Sequence, residues 1–295
     1  MAEKKISELT ELTSANPITD TAPIVDISAD ETKKIALANL PMTESEMNHS
    51  YPYTVDFNSG TAQTRNLIGT AASGDFGIPN AGTVDSVYIG SNVDTIGDHA
   101  FFNFKNLNDI TISESVTSIE EFAFTFCTSL SAVTIPDSVT GIGAGLFEQC
   151  ANLADITIGN GLTFINSNFL MSCSSLTNIN IPNSVTGIDT MAFRDCVNLT
   201  GITISDNTVS LGRFAFKGCT SLTSITIPDS VTSIEHSAFQ DCSGLSTINL
   251  LATNPPEIAV KVFDNVASGA TIHVPLGASY STTYGGLPVV YDSTL

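Results

Sequence analysis

Six cysteines stand at Cys127, Cys150, Cys173, Cys196, Cys219 and Cys242, each 23 residues after the last, and thiols in such a row invite a redox or metal reading. Metal chemistry needs ligands that converge on one point, usually as close pairs with further ligands opposite. One cysteine per repeat makes a line instead, so the expected state is a ladder of small buried thiols. Neighbouring repeats bring their Cα atoms near the range a disulfide accepts, which leaves pairing open on distance alone. A second row, Glu114, Asp137, Asn160, Asn183, Asp206 and Asp229, reads first as turn chemistry, because Asp and Asn side chains bond nearby backbone. Carboxylates stacked in this way also offer oxygen ligands to Ca²⁺. His49, His99, His236 and His273 are scattered, and no serine or cysteine is matched to a base and an orienting acid by a local signature. No catalytic residue, cofactor site or metal site is nominated, and a non-enzyme is expected.

The elements that carry these rows repeat with the cysteines. In register the unit reads C-x-x-L-x-x-[IV]-x-[IL]-P-x-S-V-T-x-I-x-x-x-A-F. The leucine column runs Leu107, Leu130, Leu153, Leu176, Leu199, Leu222 and Leu245. Three residues on come Ile110, Val133, Ile156, Ile179, Ile202, Ile225 and Ile248, and two further on Ile112, Ile135, Ile158, Ile181, Ile204, Ile227 and Leu250. Apolar and polar residues alternating with period two, many of them β-branched, predict a short strand in every copy, and stacked copies predict a parallel sheet. A second inward pair (Val139 and Ile142, Val231 and Ile234) and a phenylalanine column (Phe124, Phe147, Phe193, Phe216, Phe239) close the core. Each copy then buries about eight apolar side chains, each contributing on the order of 1.5–3 kcal/mol.

A period between 20 and 29 residues marks a solenoid whose single units cannot bury their apolar face alone. Copies headed by Phe104 and Ala81 lack the cysteine but keep the frame, giving about eight 23-residue coils. At ~4.8 Å per coil the stack is roughly 40 Å long. Two copies break the pattern, with Phe169-Leu170 in place of Ala-Phe and Thr208-Val209 displacing the valine by one.

Between the inward residues of each strand lies an outward polar column, Thr111, Thr134, Thr157, Asn180, Thr203 and Thr226, flanked by Asp109, Asp155 and Asn178. Small and polar neighbours would let a glycan or a protein approach the backbone closely, so these nine residues form the candidate ligand face. Outward threonine also satisfies strand propensity and solubility without any ligand.

These residues resemble the BspA-like leucine-rich repeat family, whose units look like the stretch IPDSVTSIEHSAFQDCSGLSTINL at residues 227–250. The resemblance covers residues 81–264. The C-terminal stretch 265–295 is similar to the closing cap of that family, with Val274-Pro275-Leu276-Gly277 at the place of its turn. The resemblance implies a β-rich leucine-rich-repeat solenoid of parallel strands, and recognition of a surface or macromolecule rather than catalysis.

The beginning of the chain differs. Residues 1–40 carry Lys4-Lys5-Ile6 with Leu9 and Leu12, then Pro23-Ile24-Val25-Asp26, then Lys33-Lys34-Ile35 with Leu37 and Leu40. In this order the motifs resemble the N-terminal segment of tailed-phage structural proteins. That resemblance implies a separate virion attachment segment, with residues 41–80 as connector and N-terminal cap, including Tyr51, Pro52 and Tyr53. The protein implied is a bacteriophage fibre, spike or decoration protein at the virion surface, in head or tail. It would bind other virion proteins through its N-terminus and a host-surface glycan or protein through its repeats, as a homo-oligomer such as a trimer. The alternative is a bacterial surface adhesin or an interaction module with no virion role; no signal-peptide core is visible at the start of the chain. With 30 acidic against 10 basic residues, the net charge of −20 repels nucleic-acid phosphates. No run approaches the roughly 18 apolar residues of a membrane span, so membrane insertion is not expected.

Overall fold

Alternation within each coil sets the architecture, because a four-residue strand with two inward apolar residues has one face to bury and one to show. The computed structural model describes residues 24–26, 53–57, 84–90 and 93–295. Within them the chain winds as a continuous stack of coils, with no helix among the described residues. The first side of the solenoid holds strands Asp109–Ile112, Ala132–Ile135, Asp155–Ile158, Asn178–Asn180, Gly201–Thr203, Ser224–Ile227 and Thr247–Leu250. Their inner residues meet in parallel register, as in Val133 with Ile156, Ile179 with Ile202 and Ile225 with Ile248.

A second side is made by two-residue strands, among them Ser118–Ile119, Gly141–Ile142, Ser210–Leu211 and Ser233–Ile234. The third side is built of successive turns whose backbone groups bond from coil to coil, for example the Phe101 amide to the Ala123 carbonyl at 2.7 Å. Inside, the leucine column is fully buried and the phenylalanines stack: Phe101 on Phe124 at 5.2 Å, Phe193 on Phe216 at 5.3 Å and Phe216 on Phe239 at 5.1 Å, with ring planes within 5° of parallel.

At the two irregular copies the coil keeps its frame. Ser210 pairs with Ser233 and Leu211 with Ile234 in unbroken register, so the backbone is not displaced by one residue as the sequence suggests. Thr208 instead takes the buried valine site and Val209 points out, 47% exposed. In the other copy Phe169 and Leu170 are both buried, and Phe169 meets Phe147 at 78° instead of stacking on it.

The ends of the chain extend the first side. Ile24–Asp26 pairs in parallel with Thr54–Asp56, the strand Tyr53–Phe57 pairs with Val84–Ile89, and that strand pairs with Asp109–Ile112. At the other end Thr271–Pro275 and Leu287–Asp292 add two more parallel strands.

Candidate recognition surface

Strand geometry places the nine residues of the candidate ligand face together. Asp109, Thr111, Thr134, Asp155, Thr157, Asn178, Asn180, Thr203 and Thr226 are all exposed on the first side, and Thr134 sits beside Thr157, Asn180 beside Thr203, and Thr226 beside Asn249. The Asn249 amide donates to the Thr226 hydroxyl at 3.2 Å, tying neighbouring rungs. Tyr88 begins this column, 43% exposed, and His273 continues it beyond Asn249. The result is a straight polar strip on a sheet whose backbone is fixed by coil-to-coil pairing.

Of the residues with an attachment role implied, Ile24, Val25 and Asp26 form the edge strand described above. Lys4, Lys5, Ile6, Leu9, Leu12, Pro23, Lys33, Lys34, Ile35, Leu37 and Leu40 lie outside the described residues, as do Tyr51 and Pro52.

The turn row does not converge on a point. Asp137 accepts hydrogen bonds from the Asn160 amide nitrogen and side chain at 2.7 and 3.3 Å, so its neighbour supplies donors where a cation would need oxygens. Among the described residues no group of three or more His, Cys, Asp or Glu side chains could hold a metal ion. All six cysteines are free and buried. Burial pushes the thiols of Cys150, Cys196 and Cys242 up to about 12 and those of Cys127, Cys173 and Cys219 well above their ordinary value.

Two histidines have polar neighbours. His236 Nδ1 lies 2.7 Å from the Ser237 hydroxyl, but Ser237 is fully buried and closed to a substrate. At the C-terminal end the Thr271 hydroxyl lies 3.0 Å from His273 Nε2, and His273 Nδ1 lies 3.4 Å from Asp292. This series follows the order of a nucleophile relay, yet it joins two strands, Thr271–Pro275 and Leu287–Asp292, and serves there as a cross-strand tie.

Sequence reasoning passed over a second exposed surface, on the turn side. Counting each cysteine position as the first of the unit, the nineteenth residue is His99, Phe122, Gly145, Asn168, Met191, Phe214 and Ser237 in successive coils, Lys261 takes the same place as the twentieth residue of a last coil one residue longer, and every one has φ between 53° and 65°. Left-handed backbone costs roughly 1–2 kcal/mol for a residue with a side chain, and only Gly and Asn fill it cheaply. Six of these eight are neither, and all of the six but the buried Ser237 carry a large side chain that reaches the surface, so the strain recurs along the turn side.

Around this column the copies differ strongly. His99 lies 5.1 Å from the Phe122 ring, and Phe102 packs edge-on to Phe126 at 5.6 Å. Further along, the Arg213 guanidinium sits 4.7 Å and the Lys217 ammonium 5.5 Å from the Phe214 ring centre. Where the strand side repeats Thr and Asn, the turn side carries aromatics, methionine and charges of both signs; lining up the eighteenth, nineteenth and twenty-second residues of each copy reveals this from sequence alone.

Comparison with known proteins agrees with the fold. The sequence profile of the BspA type leucine rich repeat region matches residues 80–200 and 188–284, in six copies, which is more than half of the chain. A leucine-rich repeat protein from Bacteroides ovatus ATCC 8483 superposes with a TM-score of 0.57 at 23% identity, covering 81% of this chain and 68% of its own. The T. pallidum leucine rich repeat protein TpLRR gives 0.52 at 27% identity, over 63% of this chain and 77% of its own. No curated protein sequence matches the chain.

Proposed function

The chain belongs to the BspA type leucine-rich repeat family, and from that premise we propose that it is a non-enzymatic recognition scaffold that holds a long polar face against a surface macromolecule. The observation that carries this reading is the exposed column from Thr111 to Thr226, one residue per coil on hydrogen-bonded parallel strands. Its rungs repeat at ~4.8 Å, so a polymeric partner, a host-surface glycan or an extended protein segment, meets equivalent contacts along its length. Individually weak contacts become strong through number when several copies act together.

The setting in which the scaffold works follows from the first 40 residues. Their Lys4–Leu12, Pro23–Asp26 and Thr32–Leu40 motifs support a virion role, in which this segment fixes the protein to a phage particle and the repeats face the host. The experiment is to purify phage particles from the culture of origin and search them by mass spectrometry and by imaging with an antibody to residues 81–295. Labelling at a fixed place on particles supports the virion role and distinguishes head from tail. Absence from particles, with the protein found on cells, overturns it and leaves a bacterial adhesin.

A further inference from the structure

We propose that the turn side binds a second copy of this chain, packed antiparallel across a two-fold axis centred between the coils headed by Cys150 and Cys173. The first observation is the strained column. A surface shaped by solubility alone would place Gly or Asn at the left-handed position, as Gly145 and Asn168 do; here Phe122, Met191 and Phe214 stand there, and they are half-buried rather than dissolved in solvent. Aromatic residues, methionine and arginine are the types that protein interfaces enrich.

Charge supplies the second observation. Copies that each carry −20 repel one another, so a contact between them must bring cations to it. Five Lys and Arg residues fall within the described residues, and four of them, Arg194, Arg213, Lys217 and Lys261, project from the turn side in its C-terminal half. The N-terminal half of the same columns carries Asp98, Glu121 and Glu148. Of the acids flanking the cations, Asp189 bonds Ser167 and the Thr190 amide, Asp195 shares Arg194 and Asp241 shares Lys217, while Glu235 and Asp264 are exposed beside them and Arg213 and Lys261 reach solvent.

A two-fold contact must be complementary to itself. Reversing the stack about its centre sets the third coil against the sixth and the second against the seventh. Glu148 then faces Lys217 in the same column, and Glu121 faces His236. Phe214 falls opposite Gly145, where the Phe122 ring lies over the space a side chain would fill and offers an aromatic partner. At the centre Met171 meets Arg194. The strand side is untouched by this pairing and stays free in both copies.

Full-length protein labelled with ¹⁴N and ¹⁵N, mixed and treated with a zero-length carbodiimide, tests the arrangement. A mixed-isotope peptide joining Glu148 to Lys217 is expected, and Lys217→Glu should weaken association about 10- to 100-fold in sedimentation experiments. Because both residues are on one chain, Glu148→Lys combined with Lys217→Glu should restore the association, which neither a fold defect nor a different partner would do. A protein that stays monomeric, an oligomer insensitive to Lys217→Glu, or the absence of mixed-isotope Glu148–Lys217 peptides overturns the proposal, including the case in which copies assemble only through their N-termini.

Discussion

The Cys173 thiol donates a hydrogen bond to the carbonyl oxygen of Phe147, 26 residues earlier and one coil back, at 3.2 Å. Cys127, Cys150, Cys196, Cys219 and Cys242 repeat the bond to Phe101, Phe124, Leu170, Phe193 and Phe216 at 3.0–3.2 Å. Each of these carbonyls also accepts the amide three residues on in its own turn, as Phe147 does from Cys150 at 3.2 Å, so the thiol is a second donor that ties the turn to the next coil.

Alkali should therefore destabilise this protein selectively. The native thiols hold their protons up to about 12 for Cys150, Cys196 and Cys242, while unfolded thiols ionise near 9.0. The raised native value means the stability is fully present below pH 9 and falls as pH climbs from 9 toward 12, because only the unfolded chain can release those protons. Thermal melts across that range check the slope, and a thiol reagent at pH 8 should label no cysteine in the native protein and all six in denaturant.

The phenylalanine column breaks once, where Leu170 replaces the stacked ring and Phe169 turns its ring edge-on to Phe147. Leu170→Phe alone overfills the coil and should cost about 1–3 kcal/mol. Adding Phe169→Leu reproduces the Leu146-Phe147 order of the preceding coil at constant volume, and the pair should recover most of that loss. A double-mutant cycle in urea measures the coupling.

Thr208 is completely buried in the valine column, and its hydroxyl has no hydrogen-bond partner, whereas Val209 beside it is exposed. An unpaired buried hydroxyl costs about 1–3 kcal/mol. Thr208→Val should return roughly that amount as added stability in chemical denaturation, and Val209→Thr should add solubility with little further change.

Met191 has φ 59°. Met191→Gly removes backbone strain of about 1–2 kcal/mol and adds unfolded-chain freedom of about 0.5–1 kcal/mol, so stability should rise by up to about 1 kcal/mol. Met191→Ala keeps the Cβ and should give no such gain. The comparison of the two by thermal denaturation isolates the strain from the side chain.

The inward columns were legible because burial is written twice over in this chain, once in the alternation within a strand and again in its recurrence every 23 residues. Leu130 or Ile156 could not be misplaced without contradicting six other copies. The same regularity misled at Thr208-Val209, where two side chains exchanged places and the sequence reads as a shift of frame. It was silent on the turn side, since a φ of 58° at Phe214 leaves no trace in composition and Phe is the last residue expected there. The strand Ile24–Asp26 was equally hidden, because its partner Thr54–Asp56 lies 30 residues on and shares no repeat with it.

Hydrogen bonds between side chains and the preceding coil, such as Thr140 to Thr117, Thr186 to Thr163 and Thr232 to Val209, reach back one coil and no further. Under tension a chain tied only to its neighbours has no single breaking point. Pulled from its ends, the stack should open turn by turn, each rupture releasing roughly 75–80 Å of extended chain. A molecule built in this way resists shear as a sequence of small yields, and the coils not yet reached by the force keep their shape.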